Sequence, residues 1–167
     1  KACLINNFGF PHVDLYGSIE KILEDKMSLV DNLSDDGVAF LNYDDELIRS
    51  YEVNKPVISF AIYNKEADYY ATDIIYGDGV IDFAINFVDD EKTKSIPARI
   101  HMYGEYNVIN ALAAFAIGRW LGIAEERIVK ALESYRSEGM RQNVCNIGGY
   151  HLYMDCYNSA PNSVIGS

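Results

Sequence analysis

The sequence predicts an α/β fold in which a parallel sheet with helices carries a small antiparallel meander. Two observations support this prediction. Between Ala2 and Ile62, short apolar runs alternate with segments whose apolar residues recur at helical spacing, which is typical of strands that pair in parallel. From Ala67 to Met102 the pattern changes to three β-like segments separated by tight turns, which is typical of antiparallel hairpins.

The first part of the chain alternates predicted strands and helices. The strands are short apolar runs: Ala2–Ile5, Gly37–Asn42 and Pro56–Ile62. Ser18 is a candidate N-cap of the first helix, whose apolar side chains continue at helical spacing to Val30. A short helix over Glu46–Tyr51 follows the second strand, and we interpret Asp44 and Asp45 mainly as its cap.

An antiparallel meander and two further helices follow. The predicted strands of the meander are Asp68–Tyr76, Val80–Phe87 and Lys94–Met102. The next helix starts near Asn107, and Gly122 ends it as a C′ glycine. Its apolar residues form one stripe: Ile109, Leu112, Ala113, Ala116 and Trp120. A last helix is predicted over Glu125–Tyr135, then a polar linker over 137–149 and a strand over 150–157.

The composition excludes several classes of function. The 167-residue chain has 25 acidic and 14 basic residues and a net charge of −11, which disfavours a nucleic-acid or anionic-membrane surface. Three widely spaced cysteines without a C-x-x-C motif indicate a reduced, cytoplasmic protein. No apolar run reaches the ~18 residues of a membrane helix, so we expect no membrane insertion. No signal peptide is visible in the sequence either.

The pair Asn107 and Asn110 is the most informative local feature of the sequence. Residues three apart lie on the same side of a helix. Asn107 is a candidate N-cap, because its side chain can accept a hydrogen bond from a free N–H of the first turn. Asn110 then has no capping role, and its carboxamide offers the donor and acceptor that match the N6/N7 edge of adenine. The alternative is that both asparagines only cap the helix.

Lys26 and His12 are candidates at one edge of the predicted sheet. Lys26 interrupts the apolar stripe of the first helix, so its ammonium either extends toward solvent or serves a buried site. His12 lies in the loop before this helix, and a single loop histidine indicates no function by itself. Such a loop and helix meet at the carboxyl edge of a parallel sheet, where ligands bind in open α/β folds.

Polar residues near the end of the chain form a third group of candidates. Arg141 lies in the predicted linker, where its guanidinium either binds a phosphate or remains solvated. Asp155, Tyr157 and Asn158 follow the last predicted strand. An aspartate at a strand end followed by a polar turn can hold a ribose or a phosphate, and it is also ordinary loop chemistry.

These segments resemble those of the Mur ligases, the ATP-dependent enzymes that form amide bonds in peptidoglycan precursor synthesis. Four stretches match in order: 7–12 followed by Lys26, 41–45, 104–114, and 140–141 with 155–163. The last stretch looks most like the members that add D-alanyl-D-alanine to a UDP-N-acetylmuramoyl-tripeptide. The resemblance covers nearly the whole chain, and its specificity lies in the combination of the four stretches.

The resemblance implies a metal site and an ATP site. His12 and Lys26 would hold a catalytic Mg²⁺, with Lys26 carbamylated, which turns its cation into an anion suited to a divalent ion. Asn107 and Asn110 would lie at the adenine of ATP, with Asn110 contacting the base edge. Arg141 would approach the ATP phosphates from the linker. Three residues would close over the nucleotide from the C-terminal domain: Asp155, Tyr157 and Asn158.

The resemblance also implies a domain organisation and a reaction. Residues 1–136 would be the later part of the central ATP-binding domain, 137–149 a linker and 150–167 the beginning of the C-terminal domain. The whole protein would be a cytoplasmic enzyme of the cell wall, on which cell shape and division depend. It would join D-Ala-D-Ala to a UDP-muramyl tripeptide through an acyl phosphate. Both ends of the chain look internal to a fold, so we expect further segments of its own chain to complete it.

The sequence also departs from the family pattern. Tyr106 stands where the family usually has histidine, and Gln142 follows Arg141 where an acidic residue is common. The chain contains no G-x-x-x-x-G-K-[ST] phosphate loop, so we expect it to be inactive alone. Two alternatives stay open: a ligase of the folylpolyglutamate or cyanophycin synthetase type, and a degenerate, non-catalytic module for nucleotide binding or interaction.

Overall fold

The computed structural model describes residues 1–7, 17–137 and 142–155. Within these parts, a six-stranded sheet in the order β1-β2-β3-β4-β5-β6 is accompanied by four helices and followed by a β7–β8 hairpin. The strands are β1 Ala2–Ile5, β2 Val38–Asn42, β3 Val57–Ala61, β4 Tyr69–Tyr76, β5 Ile81–Asp89, β6 Lys92–Ile100, β7 Asn143–Ile147 and β8 Tyr150–Met154. The helices are α1 Ile19–Asp31, α2 Glu46–Ser50, α3 Tyr106–Trp120 and α4 Glu125–Ser134. The predicted fold class is confirmed.

The meander continues the parallel sheet. Strands β1, β2 and β3 pair in parallel, and β4 adds to β3 in parallel through only two residue pairs, Phe60 with Tyr69 and Ala61 with Tyr70. Strands β4, β5 and β6 then pair antiparallel. The carboxyl ends of β1, β2 and β3 therefore lie together at one edge of the sheet, which is the edge where ligands bind in open α/β folds.

Local capping signals set several helix ends. The Ser18 hydroxyl accepts from the Lys21 N–H at 3.4 Å at the start of α1, as predicted. The Asp45 carboxylate accepts from the first turn of α2, at 3.0 Å from the Leu47 nitrogen. Gly122 follows α3 with φ +76°, a left-handed conformation that glycine adopts without a steric penalty.

Helices cover both faces of the sheet, and strand alternation divides the core between them. Ala39 and Leu41 of β2 belong to the apolar cluster that includes α1 and α2, whereas Phe40 belongs to the cluster under α3 and α4. All three side chains are at most 1% exposed. The parallel strands are thus buried on both sides, which explains their nearly continuous apolar sequence.

Helix α3 is buried over most of its surface rather than along one stripe. Its Phe115, which was not in the predicted stripe, is fully buried and packs against the rings of Tyr69 and Phe87 at centroid distances of 6.0 and 5.6 Å. Trp120, which was in that stripe, remains 42% exposed and meets Phe40 edge-on. An all-round apolar helix is typical of an element in the centre of a core.

The β7–β8 hairpin occupies part of the segment that we predicted to be a linker. Residues 143–147 form β7, because Gly148 and Gly149 take positive φ values of 59° and 84° and reverse the chain within two residues. The domain boundaries proposed from the sequence remain a prediction. Across the described ranges, none of the helices combines the length and apolar character that a bilayer crossing requires.

Candidate functional site

Side chains tie the three parallel strand ends together at the carboxyl edge. Asn42, the last residue of β2, donates its Nδ2 to the carbonyl of Asn6 after β1 at 2.8 Å. Asp44 accepts from the backbone N–H groups that follow β3, at 2.5 Å from Ile62 and 3.0 Å from Tyr63. The expectation that Asp44 caps α2 is therefore wrong: its carboxylate satisfies loop N–H groups that the sheet leaves unpaired.

The start of α3 reaches this edge through two asparagines. The Asn6 Nδ2 donates to Asn110 Oδ1 at 2.6 Å, and the Asn110 Nδ2 donates to Asn107 Oδ1 at 3.1 Å. Asn107 is only 4% exposed, whereas the Asn110 side chain faces solvent. Asn110 is therefore the member of the predicted pair that a ligand can reach. Asn107 is buried and accepts a hydrogen bond from it.

Asn107 is not the N-cap of α3. The helix begins at Tyr106, and Glu105 holds the N-cap position without a side-chain capping bond. The Asn107 Nδ2 instead donates to the Tyr103 carbonyl at 2.7 Å and to Gln142 Oε1 at 2.9 Å. The capping prediction fails because the helix begins one residue before Asn107, whose carboxamide instead bonds to Asn110, Tyr103 and Gln142.

The β7–β8 hairpin and its flanks approach the same place. Gln142 is buried and donates its Nε2 to the Tyr106 hydroxyl. Burial raises the pKa of Tyr106, and the nearby Asp155 carboxylate adds to the shift. The rings of Tyr103 and Tyr153 meet edge to face at 5.4 Å. The structure thus places the predicted site residue Asp155 near the start of α3.

A pair of tyrosines beside the asparagines was not predicted from the sequence. The Glu105 carboxylate accepts from the Tyr63 hydroxyl, and from the Tyr76 hydroxyl at 2.6 Å. The hydrogen bond to Glu105, with some desolvation of the largely exposed ring, raises the pKa of Tyr63 to about 12. Burial and the same carboxylate raise the pKa of Tyr76. Tyr63 lies 42 residues before Glu105 in the sequence and Tyr76 lies 29 residues before it, so no local sequence pattern indicates these hydrogen bonds.

The remaining predicted site residues are only partly covered by the structure. Lys26 is half-buried on α1 between the buried Ile22 and Val30. His12, Arg141, Tyr157 and Asn158 lie outside the described residues. Over the described ranges, no three His, Cys, Asp or Glu side chains form a group that could hold a metal ion. The Mg²⁺ site at His12 and Lys26 stays a prediction.

The described part of the site fits a nucleobase. The buried Asn6 Oδ1 receives no hydrogen bond from any described residue, and the exposed Asn110 Oδ1 keeps a lone pair beside the one that Asn6 occupies. The exposed Asn110 oxygen is an acceptor that suits an exocyclic amino group, whereas the buried Asn6 oxygen is not accessible to a ligand. The carboxylates of Asp44 and Glu105 flank this edge, and the Arg49 guanidinium lies beside Asp44.

A separate cavity of about 510 Å³ lies away from these residues. It is lined by the first residues of β3, Val57 and Ile58, and by Phe87 of β5. Strand β3 runs from there toward Ala61 and the carboxyl edge, so this cavity opens at the opposite end of the strand from the asparagines. We therefore place the candidate site at the asparagines.

Residues 1–118 match the Mur ligase middle domain. The UDP-N-acetylmuramoyl-tripeptide--D-alanyl-D-alanine ligase of Bacillus subtilis (strain 168) is 32% identical over 165 residues, which cover 98% of this chain and 34% of that protein. The UDP-N-acetylmuramate--L-alanine ligase of Chlorobium chlorochromatii (strain CaD3) is 33% identical over 141 residues, which cover 83% of this chain and 29% of that protein.

Solved structures show the same fold. MurF from Acinetobacter baumannii superposes with a TM-score of 0.82 and 26% identity, over 99% of this chain and 36% of that one. MurF from Thermotoga maritima, solved in complex with ADP, superposes with a TM-score of 0.78 at 22% identity, over 99% of this chain and 37% of that one. The chain thus spans about a third of the length of these relatives. Because the family match covers most of the chain and the fold agrees with it, the chain belongs to the Mur ligase family.

Proposed function

We propose that this chain forms the adenine end of the ATP site in a ligase that adds D-Ala-D-Ala to a UDP-muramyl tripeptide. The exposed carboxamide of Asn110, held between Asn6 and Asn107 at the carboxyl edge of the sheet, carries the proposal. Ligands bind at this edge in open α/β folds. The similarity to a relative whose name states this activity supports the choice of substrate.

The proposed reaction belongs to peptidoglycan precursor synthesis and has two steps. The terminal carboxylate of the muramyl tripeptide attacks the γ-phosphorus of ATP, which yields an acyl phosphate and releases ADP. The amine of D-Ala-D-Ala then attacks the acyl carbon, an amide bond forms, and inorganic phosphate and a proton leave. A bound Mg²⁺ would offset the negative charge that develops on the phosphoryl oxygens.

The other predicted residues take roles around this base site in the proposal. His12 and a carbamylated Lys26 would hold Mg²⁺, and Arg141 would contact the phosphates. Asp155 closes over the nucleotide together with Tyr157 and Asn158. The raised pKa of Tyr106, to which the Asp155 carboxylate contributes, supports the position of Asp155 close to α3.

Substitution of Asn110 tests the proposed base site. We expect Asn110→Ala to weaken ATP binding to the full-length protein by about 1–3 kcal/mol, the range for a bidentate contact with a base edge. Isothermal titration calorimetry measures this. Asn32→Ala is the matched control, because Asn32 is an exposed amide whose Nδ2 donates to the Ser28 carbonyl at the end of α1. Unchanged ATP affinity in Asn110→Ala would refute the proposal.

Substitution of Lys26 tests the proposed metal site. We expect Lys26→Ala to abolish ATP-dependent ligation, and a small added carboxylic acid to restore part of the activity by replacing the carbamate. Lys21→Ala on the exposed side of α1 serves as the control. Normal turnover in Lys26→Ala would remove the carbamate from the proposal. A wild-type protein that binds ATP without ligating would favour a nucleotide-binding module instead.

A further inference from the structure

Four amide side chains form a hydrogen-bonded chain at the edge of the sheet, here called the amide chain. Asn6 donates to Asn110 at 2.6 Å, Asn110 to Asn107 at 3.1 Å, and Asn107 to Gln142 at 2.9 Å. Gln142 then donates to the Tyr106 hydroxyl. Each carboxamide after the first accepts with its oxygen and donates with its nitrogen, so all the bonds run in one direction.

A backbone group sets this direction. The Asn107 Nδ2 also donates to the Tyr103 carbonyl at 2.7 Å, and a carbonyl oxygen can only accept. The nitrogen of Asn107 must therefore face Tyr103, and its oxygen must face Asn110. Because Asn107 is 4% exposed, water does not compensate a reversed amide here. Asn110 is consequently obliged to present its nitrogen to Asn107.

Asn6 fixes the oxygen end of the Asn110 carboxamide, as Asn107 fixes its nitrogen end. Its Nδ2 meets the Asn110 oxygen, and its own backbone carbonyl is held by Asn42 at 2.8 Å. If the Asn6 amide turned over, two carboxamide oxygens would face each other. The oxygen of Asn110 therefore lies toward Asn6 and its nitrogen toward Asn107, without freedom to exchange.

This orientation leaves a defined pair of groups on Asn110. One N–H and one lone pair of its oxygen remain unused by the amide chain, and the side chain is exposed. A donor and an acceptor side by side match the N7 acceptor and N6 amino group of adenine. Guanine presents two acceptors on the same edge, O6 and N7, and does not match them.

We propose that Asn6 and Asn107 are positioning residues that orient the Asn110 carboxamide and thereby set the preference of the site for adenine. This inference rests on the proposed function, because it takes the base of ATP as the ligand of Asn110. Asn6 contributes without contacting the base, through the single hydrogen bond that marks the oxygen end of Asn110.

Asn6→Asp tests this role with almost no change of shape. It replaces the donor that faces Asn110 by an acceptor. Asn110 cannot turn over, because Asn107 is held by the Tyr103 carbonyl, so the two facing oxygens repel each other and displace the Asn110 carboxamide from the base. Binding of ATP and of purine riboside triphosphate, which lacks the 6-amino group, is measured by calorimetry on the full-length protein. We expect the unsubstituted protein to prefer ATP about tenfold or more, equal to about 1.4 kcal/mol. In Asn6→Asp, ATP affinity should fall and the two affinities should become nearly equal.

Two further variants complete the experiment. Asn32→Asp makes the same chemical change at an exposed amide on α1 and should keep the ATP preference. Asn107→Leu removes the acceptor that faces Asn110 and should reduce the preference even if Asn6→Asp fails to fold. A wild-type preference in either folded variant, Asn6→Asp or Asn107→Leu, would overturn the positioning role. An unsubstituted protein that does not distinguish the two nucleotides would overturn the proposed base site itself.

Discussion

Two adjacent aspartates show how much the role of a residue depends on its partners. Asp45 accepts from Leu47 and Ile48 at the start of α2 and acts as a local cap. Asp44 accepts from three backbone N–H groups, those of Ile62, Tyr63 and Asn64, at distances of 2.5, 3.0 and 2.9 Å. Asp44 therefore joins the end of β2 to the segment after β3, which is a connection across the sheet edge.

The two aspartates should differ in their contribution to stability. We expect Asp45→Ala to lower the free energy of unfolding by about 1 kcal/mol, the usual value for a lost N-cap. Asp44→Ala should lower it by about 2–3 kcal/mol, because several hydrogen bonds to a charged acceptor are lost together. Urea denaturation measures both changes. Equal losses would contradict the distinction between a cap and a cross-sheet connection.

Tyr63 makes the stability of this region dependent on pH at alkaline values. The hydrogen bond to Glu105, with some desolvation, raises the pKa of Tyr63 to about 12, whereas an unperturbed tyrosine has a pKa of ≈ 10. Because the folded state favours the neutral phenol, its stabilisation is complete below pH 10. It is lost progressively as the pH rises from about 10 to about 12.

Tyr63→Phe is therefore expected to destabilise the protein at pH 9 and to have a smaller effect near pH 11. The measurement is the difference in the free energy of unfolding between this variant and the unsubstituted protein at both pH values. Tyr150→Phe, at an exposed ring on β8, is the control. A difference that stays constant between these pH values would show that Glu105 does not hold the Tyr63 proton.

At the scale of elements, helix α3 joins the site to the core. Its first two turns carry the asparagines, its middle packs Phe115 against the sheet, and its end packs on α4. The contact with α4 requires Gly118. A Cβ at Gly118 would lie 2.8 Å from Cδ1 and 2.9 Å from Cγ1 of Ile128, which is closer than carbon atoms pack.

Gly118→Ala should therefore destabilise the protein by about 1–3 kcal/mol, the usual range for overpacking. Alanine is otherwise better than glycine in a helix by ~1 kcal/mol. In an Ile128→Ala background the clash disappears, so the same substitution should become neutral or stabilising. A double-mutant cycle by urea denaturation measures this coupling. Additive effects would mean that Ile128 does not restrict position 118.

At the scale of the whole molecule, the amide chain connects β1, α3 and the hairpin. Asn6 lies after β1, Asn107 and Asn110 on α3, and Gln142 directly before β7. The contact of Tyr103 with Tyr153 adds an aromatic link to β8. A ligand that contacts Asn110 is thus connected through Asn107 to the position of the hairpin.

Gln142→Leu should loosen the hairpin without unfolding the sheet. Loss of the buried hydrogen bonds to Asn107 and Tyr106 is expected to speed amide hydrogen exchange in residues 143–154 about tenfold, which corresponds to about 1.4 kcal/mol. Exchange in β5 should not change. Asn146→Leu, at an exposed amide of β7, is the matched control. Equal exchange in Gln142→Leu and the unsubstituted protein would show that the hairpin is held elsewhere.

Most of the fold could be predicted from the sequence, because its signals are local. Strand positions follow from apolar runs, and the starts of α1 and α2 follow from Ser18 and Asp45. Gly122 marks the end of α3 through its positive φ. The strand β7 could not be predicted, because its polar, glycine-bearing sequence indicates a loop unless the two glycines form a tight turn.

The site was only partly predictable, because its geometry depends on contacts between distant residues. The sequence by itself determined the elements of the sheet, the placement of two asparagines on one side of a helix, and the resemblance to the Mur ligases. The tertiary structure alone decided which asparagine is exposed and which is buried, since Asn6 meets Asn110 across 104 residues and Asn107 meets Gln142 across 35. The physical reason is that a carboxamide can cap, support or bind a ligand, and only the donors and acceptors around it select one role.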